Sequence, residues 1–126
     1  MSFLLNLLKN HGDEINKEYS AEQLQELDTI LDGLDHFTVD LEAARNEDKS
    51  RYVKAPDNSG DWMQNMLARS EQNLDKLARS YDPELVKRDL QLSADLEARI
   101  IRMQRVLDRL TSAQFLARSD AFSALP

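Results

Sequence analysis

The chain has 126 residues, 41% of them hydrophobic and 31% charged, which is enough for one domain with one core. With no cysteine, three glycines and three prolines, it cannot be a disulfide scaffold, a cysteine-ligated zinc site, a collagen-like chain or a low-complexity disordered chain. Its net charge of −7 argues against non-specific nucleic-acid binding as its main activity.

A short helix is predicted over about residues 3–17. No Lys or Arg precedes its apolar stretch and no small-residue cleavage site follows, so we expect no secretory signal and a cytoplasmic location. The segment also lacks the basic polar face of helices that lie on membranes, which argues against membrane contact. One face carries apolar side chains at three- and four-residue steps: Phe3, Leu4, Leu7, Leu8 and Ile15.

A second, long helix is predicted over about residues 21–46. It opens with a capping box, in which the side chains of Ser20 and Gln23 satisfy backbone groups of the first turn. Between Glu22 and Asp48 the chain carries nine acidic residues and one basic residue, Arg45. Leucines follow at heptad-like spacing: Leu24, Leu27, Leu31, Leu34 and Leu41.

The pattern stops at residues 47–60, which are rich in charged and turn-forming residues and predict a long loop. A third helix is expected over about residues 61–80, with an apolar face that includes Trp62 and Met66. The sequence Asp82-Pro83-Glu84 is a strong helix start, because Asp can cap and Pro suits the first helical position. So short a turn predicts an antiparallel hairpin of the third and fourth helices.

The fourth helix is expected over about residues 83–111, followed by a further short helix or by a continuation of the same one. Residues 119–126 are expected to form a tail that frays or docks. The main apolar stripe of the fourth helix consists of Leu85, Leu92, Leu96, Ile100, Met103, Val106, Leu107 and Leu110.

These elements predict an all-α protein, namely an antiparallel bundle of three long helices plus the shorter N-terminal helix. Residues 1–118 would form a single domain, and the leucine stripes would meet in its core.

Apolar side chains on a second face of the fourth helix suggest an interaction surface. At 100° per residue, Val86, Leu90 and Ile101 fall nearly opposite the main stripe, where a surface helix is usually polar. Either another segment of the chain covers them or a second protein chain does, and a homodimer is the specific version of that hypothesis. Near the chain end, further apolar residues could anchor a partner: Phe115, Leu116, Phe122 and Leu125.

Arginines form a basic stripe between the two apolar faces of the fourth helix. Arg102, Arg105 and Arg109 lie within a third of a turn of one another. They could pair with the acidic second helix, remain solvated, or bind an acidic partner or a phosphate group, since Arg suits bidentate anion recognition. Nucleic acid is the weakest version, because few aromatic residues lie among these arginines.

We find no motif for catalysis and no cofactor site in the sequence. There is no HExxH, no glycine-rich phosphate loop and no Glu-x-x-His pair of the kind that holds two metals in helical bundles. Asp32, His36 and Asp40 share a helix face but point toward solvent, where a metal would lack a supporting shell. The sequence therefore predicts a non-catalytic protein-interaction module such as an adaptor, assembly factor, chaperone or inhibitor, with anion or nucleic-acid binding as the alternative.

Overall fold

The structure is a computed structural model that describes residues 15–126. Of these residues 77% are helical and none lies in a β-strand, so the predicted all-α class is confirmed for this part of the chain. The predicted helix at residues 3–17 lies outside the described residues except for its last three positions, which are not helical.

Helix α1 spans Ala21–Phe37 and opens with the predicted capping box. The Gln23 backbone N–H donates to Ser20 Oγ at 3.1 Å, and the Ser20 N–H donates to Gln23 Oε1 at 2.9 Å. The last residue of the helix is Phe37, nine residues earlier than predicted, and Thr38 is its C-cap. There the threonine hydroxyl donates to the Leu34 carbonyl at 2.9 Å, a side-chain bond that competes with continued helix.

Short helical pieces replace the predicted second half of that helix. A 3-10 turn at Val39–Leu41 leads into α2, Glu42–Asn46, and a further 3-10 turn covers Lys49–Arg51. Asp48 caps the last turn, because its Oδ1 accepts hydrogen bonds from the backbone N–H and the hydroxyl of Ser50.

Helix α3 spans Gly60–Gln72 and is shorter than the predicted residues 61–80. It stops at Asn73, whose side-chain amide donates to the Arg69 carbonyl at 2.8 Å and so satisfies a carbonyl at the helix end. A 3-10 turn at Leu74–Lys76 follows.

Helix α4 spans Pro83–Ala124, 42 residues in one helix. Asp82 caps it as predicted, with its Oδ1 accepting from the Glu84 N–H at 3.0 Å. The helix passes the predicted end at residue 111 because neither Gly nor Pro occurs between Glu84 and Leu125, and Thr or Ser in a helix costs only about 0.5 kcal/mol relative to Ala.

The chain divides into two compact units, Lys54–Ser112 and the described residues up to Val53 together with Ala113–Pro126. The predicted antiparallel bundle is not confirmed, and neither is its leucine core. Among the hydrophobic side chains of residues 15–126, Leu67 alone is buried. Across the same residues, no helix combines the length and the apolar character needed to cross a membrane.

Candidate interaction surface

An apolar pocket of about 480 Å³ lies in the unit Lys54–Ser112, between α3 and the first two turns of α4. Leu67, the one buried hydrophobic residue among those described, forms its floor, and Trp62 at its edge is 64% exposed. The remaining lining consists of Met63, Met66, Ser70, Leu77, Ala78, Tyr81, Val86 and Leu90.

One hydrogen-bond chain fixes the polar side of this pocket. The Ser70 hydroxyl bonds to the Leu67 carbonyl at 2.7 Å and is also in hydrogen-bond contact with the Tyr81 hydroxyl. Since Tyr81 follows the 3-10 turn after α3, this contact folds residues 77–82 back onto the helix. The pocket is therefore shaped by the early end of α3, which the sequence did not predict.

Two of the three residues predicted for self-association lie inside this pocket. Val86 and Leu90 are half-buried against α3 within the same unit, whereas Ile101 is exposed. Both residues belong to the face of α4 for which the helix wheel predicts a partner chain. The main stripe, which the wheel predicts to lie in the core, is exposed.

Helix α4 carries an exposed apolar face, here called the α4 stripe. Its side chains are between 39% and 61% exposed. Leu92, Leu96 and Ile100 also border a shallow depression that includes Asp89 and Glu97. The members of the α4 stripe are Leu92, Leu96, Ile100, Met103, Leu107 and Leu110.

The three arginines predicted to bind an acidic partner or a phosphate group are exposed. Arg102 and Arg109 lie about 80–100° from the nearest members of the α4 stripe, and Arg105 lies on the opposite side of the helix. Within residues 15–126 four ion pairs occur, all between exposed side chains, and none of them includes Arg102, Arg105 or Arg109. Arg109 donates from Nε to the Arg105 carbonyl at 3.3 Å, a bond that leaves the terminal nitrogens of its guanidinium group available.

Helix α1 carries a second exposed apolar face, here called the α1 stripe. Its side chains are between 37% and 56% exposed, and Asp28 and Asp35 flank it on one side. The members of the α1 stripe are Leu24, Leu27, Ile30, Leu31 and Leu34.

The C-terminal apolar residues differ in exposure. Leu116 is half-buried, while Phe115, Phe122 and Leu125 are 70%, 83% and 69% exposed. The buried residue in this segment is Asp120, and nothing in the sequence pattern of residues 119–126 distinguishes it.

Within the described part of the chain, no group of three or more His, Asp or Glu side chains is placed to hold a metal ion. Comparisons with protein families, with curated proteins and with solved structures find no match to this chain. The geometry of the described residues is therefore the whole basis for assigning a function.

Proposed function

We propose that the protein is a non-catalytic protein-interaction module that acts through its exposed helix faces. In this proposal the predicted antiparallel bundle forms when a helix from another polypeptide packs along α4. Association would then supply the hydrophobic core that the described residues do not form by themselves.

The observation that carries the proposal is the exposure of the α4 stripe. Single exposed aliphatic side chains are ordinary, but six on one face of one helix form a continuous apolar band. Each half-exposed side chain offers roughly 100 Å² of apolar surface, so burying it would contribute on the order of 2 kcal/mol before the costs of association. Recognition of an amphipathic helix by such a face is a common mode of binding.

A site-specific photo-cross-linker tests the proposal. A benzophenone side chain is placed at Leu107 in the α4 stripe, or at Ala98, which lies on the opposite side of the same helix at about 180°. Each protein is irradiated alone and in extract from its natural host, and the adducts are identified by mass spectrometry. We expect adducts of defined mass from position 107 and few or none from position 98.

The same experiment carries its own control for a non-specific apolar surface. Introducing Leu96→Glu into the Leu107 cross-linker protein should abolish the adduct, because a charge would then have to be buried in the interface. Equal labelling from both positions, or no adduct from position 107 in either setting, would overturn the proposal.

Anion or nucleic-acid binding is the alternative function, and the arginines without an ion-pair partner in residues 15–126 favour it. Binding through Arg102, Arg105 and Arg109 should weaken steeply as salt rises, because counterions are released from a phosphate backbone. Fluorescence anisotropy with labelled single-stranded and duplex oligonucleotides checks this. Negligible binding even at low salt would remove the alternative.

A further inference from the structure

We propose that the partner which covers the α4 stripe is helix α1 of a second copy of this chain. In a two-fold symmetric dimer, α1 of each copy would pack along α4 of the other, so that both exposed stripes are buried together. This inference rests on the proposed function and names its partner.

Charge complementarity is the first argument for this pairing. Helix α1 contains five acidic residues and no Lys or Arg. Residues 87–109 of α4 carry six Lys or Arg and four Asp or Glu, and two of these acids, Asp89 and Asp95, already pair with Arg88 and Arg99. Two α1 helices packed side by side would bring like charges together, and so would two basic faces of α4. Pairing α1 with α4 is the combination that places opposite charges beside buried apolar stripes.

The spacing of the charges supports the same pairing. Asp28 and Asp35 are seven residues apart at the edge of the α1 stripe. Arg102 and Arg109 are also seven residues apart, on the side of α4 that lies about 80–100° from the nearest members of the α4 stripe. Two helices that pack side by side bring flanking positions together once every seven residues. Both acidic residues could therefore reach both arginines in one register.

The available apolar area is the third argument. Either stripe alone is smaller than a standard specific interface, which needs roughly 800 Å² from each partner. The two stripes together expose on the order of 1,000 Å² per chain, which meets that requirement when each copy contributes both. A reciprocal dimer therefore offers enough apolar surface for an interface of standard size, whereas a contact through one stripe belongs to the smaller, transient class.

Sedimentation equilibrium of the purified chain between about 1 and 200 μM gives the first test, since this range covers the affinities of ordinary specific dimers. We expect a concentration-dependent shift from monomer to dimer. A monomer throughout this range overturns the inference.

Charge reversal then tests which helices meet. One variant carries Asp28→Lys and Asp35→Lys, and a second carries Arg102→Glu and Arg109→Glu. Each variant alone would place like charges at the interface and should dimerise at least about tenfold more weakly than the wild type. Mixed together, the two variants place opposite charges at both contacts and should form a heterodimer, detected by native mass spectrometry with one partner labelled with ¹⁵N.

Matched controls reverse the same number of charges outside both helices. Asp57→Lys with Asp75→Lys, and Arg69→Glu with Arg79→Glu, should leave the dimer affinity within about threefold of wild type, because exposed charges distant from an interface are screened. Circular dichroism of every variant checks that the helices persist.

Two results would overturn the inference: dimers of the charge-reversed variants as tight as wild type, or no heterodimer in the mixture. The proposed function fails separately. If the chain is monomeric but the cross-linker at Leu107 captures a different protein in the host extract, and Leu96→Glu abolishes that adduct, the interaction module stands and its partner is not a second copy.

Discussion

The backbone N–H of Ile15 donates a hydrogen bond to Oδ2 of Asp120 at 3.0 Å, joining two residues that are 105 positions apart in the chain. Both belong to the same compact unit, and Asp120 is one of the two buried residues in the described part of the chain. The contact ties the segment that precedes α1 to the last turns of α4. The carboxylate is therefore a structural acceptor, and the last turns of α4 have an attachment other than their exposed phenylalanines.

Replacing Asp120 with Ala should release this attachment. The Ile15 amide would lose its acceptor, and the loss of a charge-assisted hydrogen bond of this kind costs about 1.5–3 kcal/mol. Hydrogen exchange followed by NMR should show faster exchange of the Ile15 amide. Asp120→Asn, which keeps an acceptor oxygen, should show a smaller effect, and equal exchange in wild type and Asp120→Ala would contradict the prediction.

Leu67→Ala should be the most destabilising single substitution in the unit Lys54–Ser112. Its side chain is only 6% exposed, and truncating a buried leucine to alanine typically costs about 2–5 kcal/mol. Trp62, the single tryptophan of the chain, borders the same pocket and reports unfolding by its fluorescence in urea. Leu107→Ala, which shortens an exposed leucine, is the control. An equal decrease in the free energy of unfolding in both variants would count against a core centred on Leu67.

Tyr81→Phe should loosen the segment after α3 without emptying the pocket. The phenyl ring keeps the apolar contacts, but the bond between the Tyr81 and Ser70 hydroxyls is lost, at a cost of about 0.5–1.5 kcal/mol. Trp62 fluorescence in urea again measures the change. Ser70→Ala removes this bond and also the bond from Ser70 to the Leu67 carbonyl, so it should cost more than Tyr81→Phe, and the double variant should cost about as much as Ser70→Ala alone. A decrease in the free energy of unfolding of the double variant equal to the sum of the two single decreases would show that the two hydroxyls act independently.

Apolar periodicity predicted where helices begin better than where they end. The starts of α1 and α4 follow from capping residues that act within their own turn, and Ser20 and Asp82 occupy the predicted positions. The ends depend on whether a side chain outcompetes the next backbone bond. Thr38 and Asn73 do so, and neither residue type is a helix stop in general.

Which face of α4 packs inside its own unit could not be predicted from the helix wheel. The wheel identifies two apolar faces but not their partners, and it predicts the larger face to form the core. The early end of α3 sets the length and direction of the return segment, and Val86 and Leu90 rather than Leu92 and Leu96 line the same pocket as Leu67. The wheel therefore predicts which residues form the apolar stripe, whereas the packing of that stripe in a bundle core is not confirmed.

Ser20→Ala should destabilise the start of α1. The substitution removes the side-chain acceptor for the Gln23 amide and half of the capping box, which typically costs about 1 kcal/mol. Faster hydrogen exchange of the Gln23 amide would show this directly. Gln23→Glu retains the reciprocal acceptor and adds a negative charge near the helix N-terminus, so it should leave exchange in this turn unchanged or slower. Slower hydrogen exchange of the Gln23 amide in Ser20→Ala would contradict the capping role.

Asp48 should titrate below an ordinary aspartate, because hydrogen bonds from the hydroxyl and then the backbone N–H of Ser50 lower its pKa. A carboxyl with a lowered pKa in the folded state contributes stability when it is ionised, and that contribution is lost as pH falls below about 4. The Lys49–Arg51 turn should therefore loosen in acid. Carboxyl-detected NMR titration checks the pKa, and Ser50→Ala should raise it toward the ordinary value by removing the larger of the two contributions. An unchanged pKa in Ser50→Ala would show that the hydroxyl does not stabilise the ionised form.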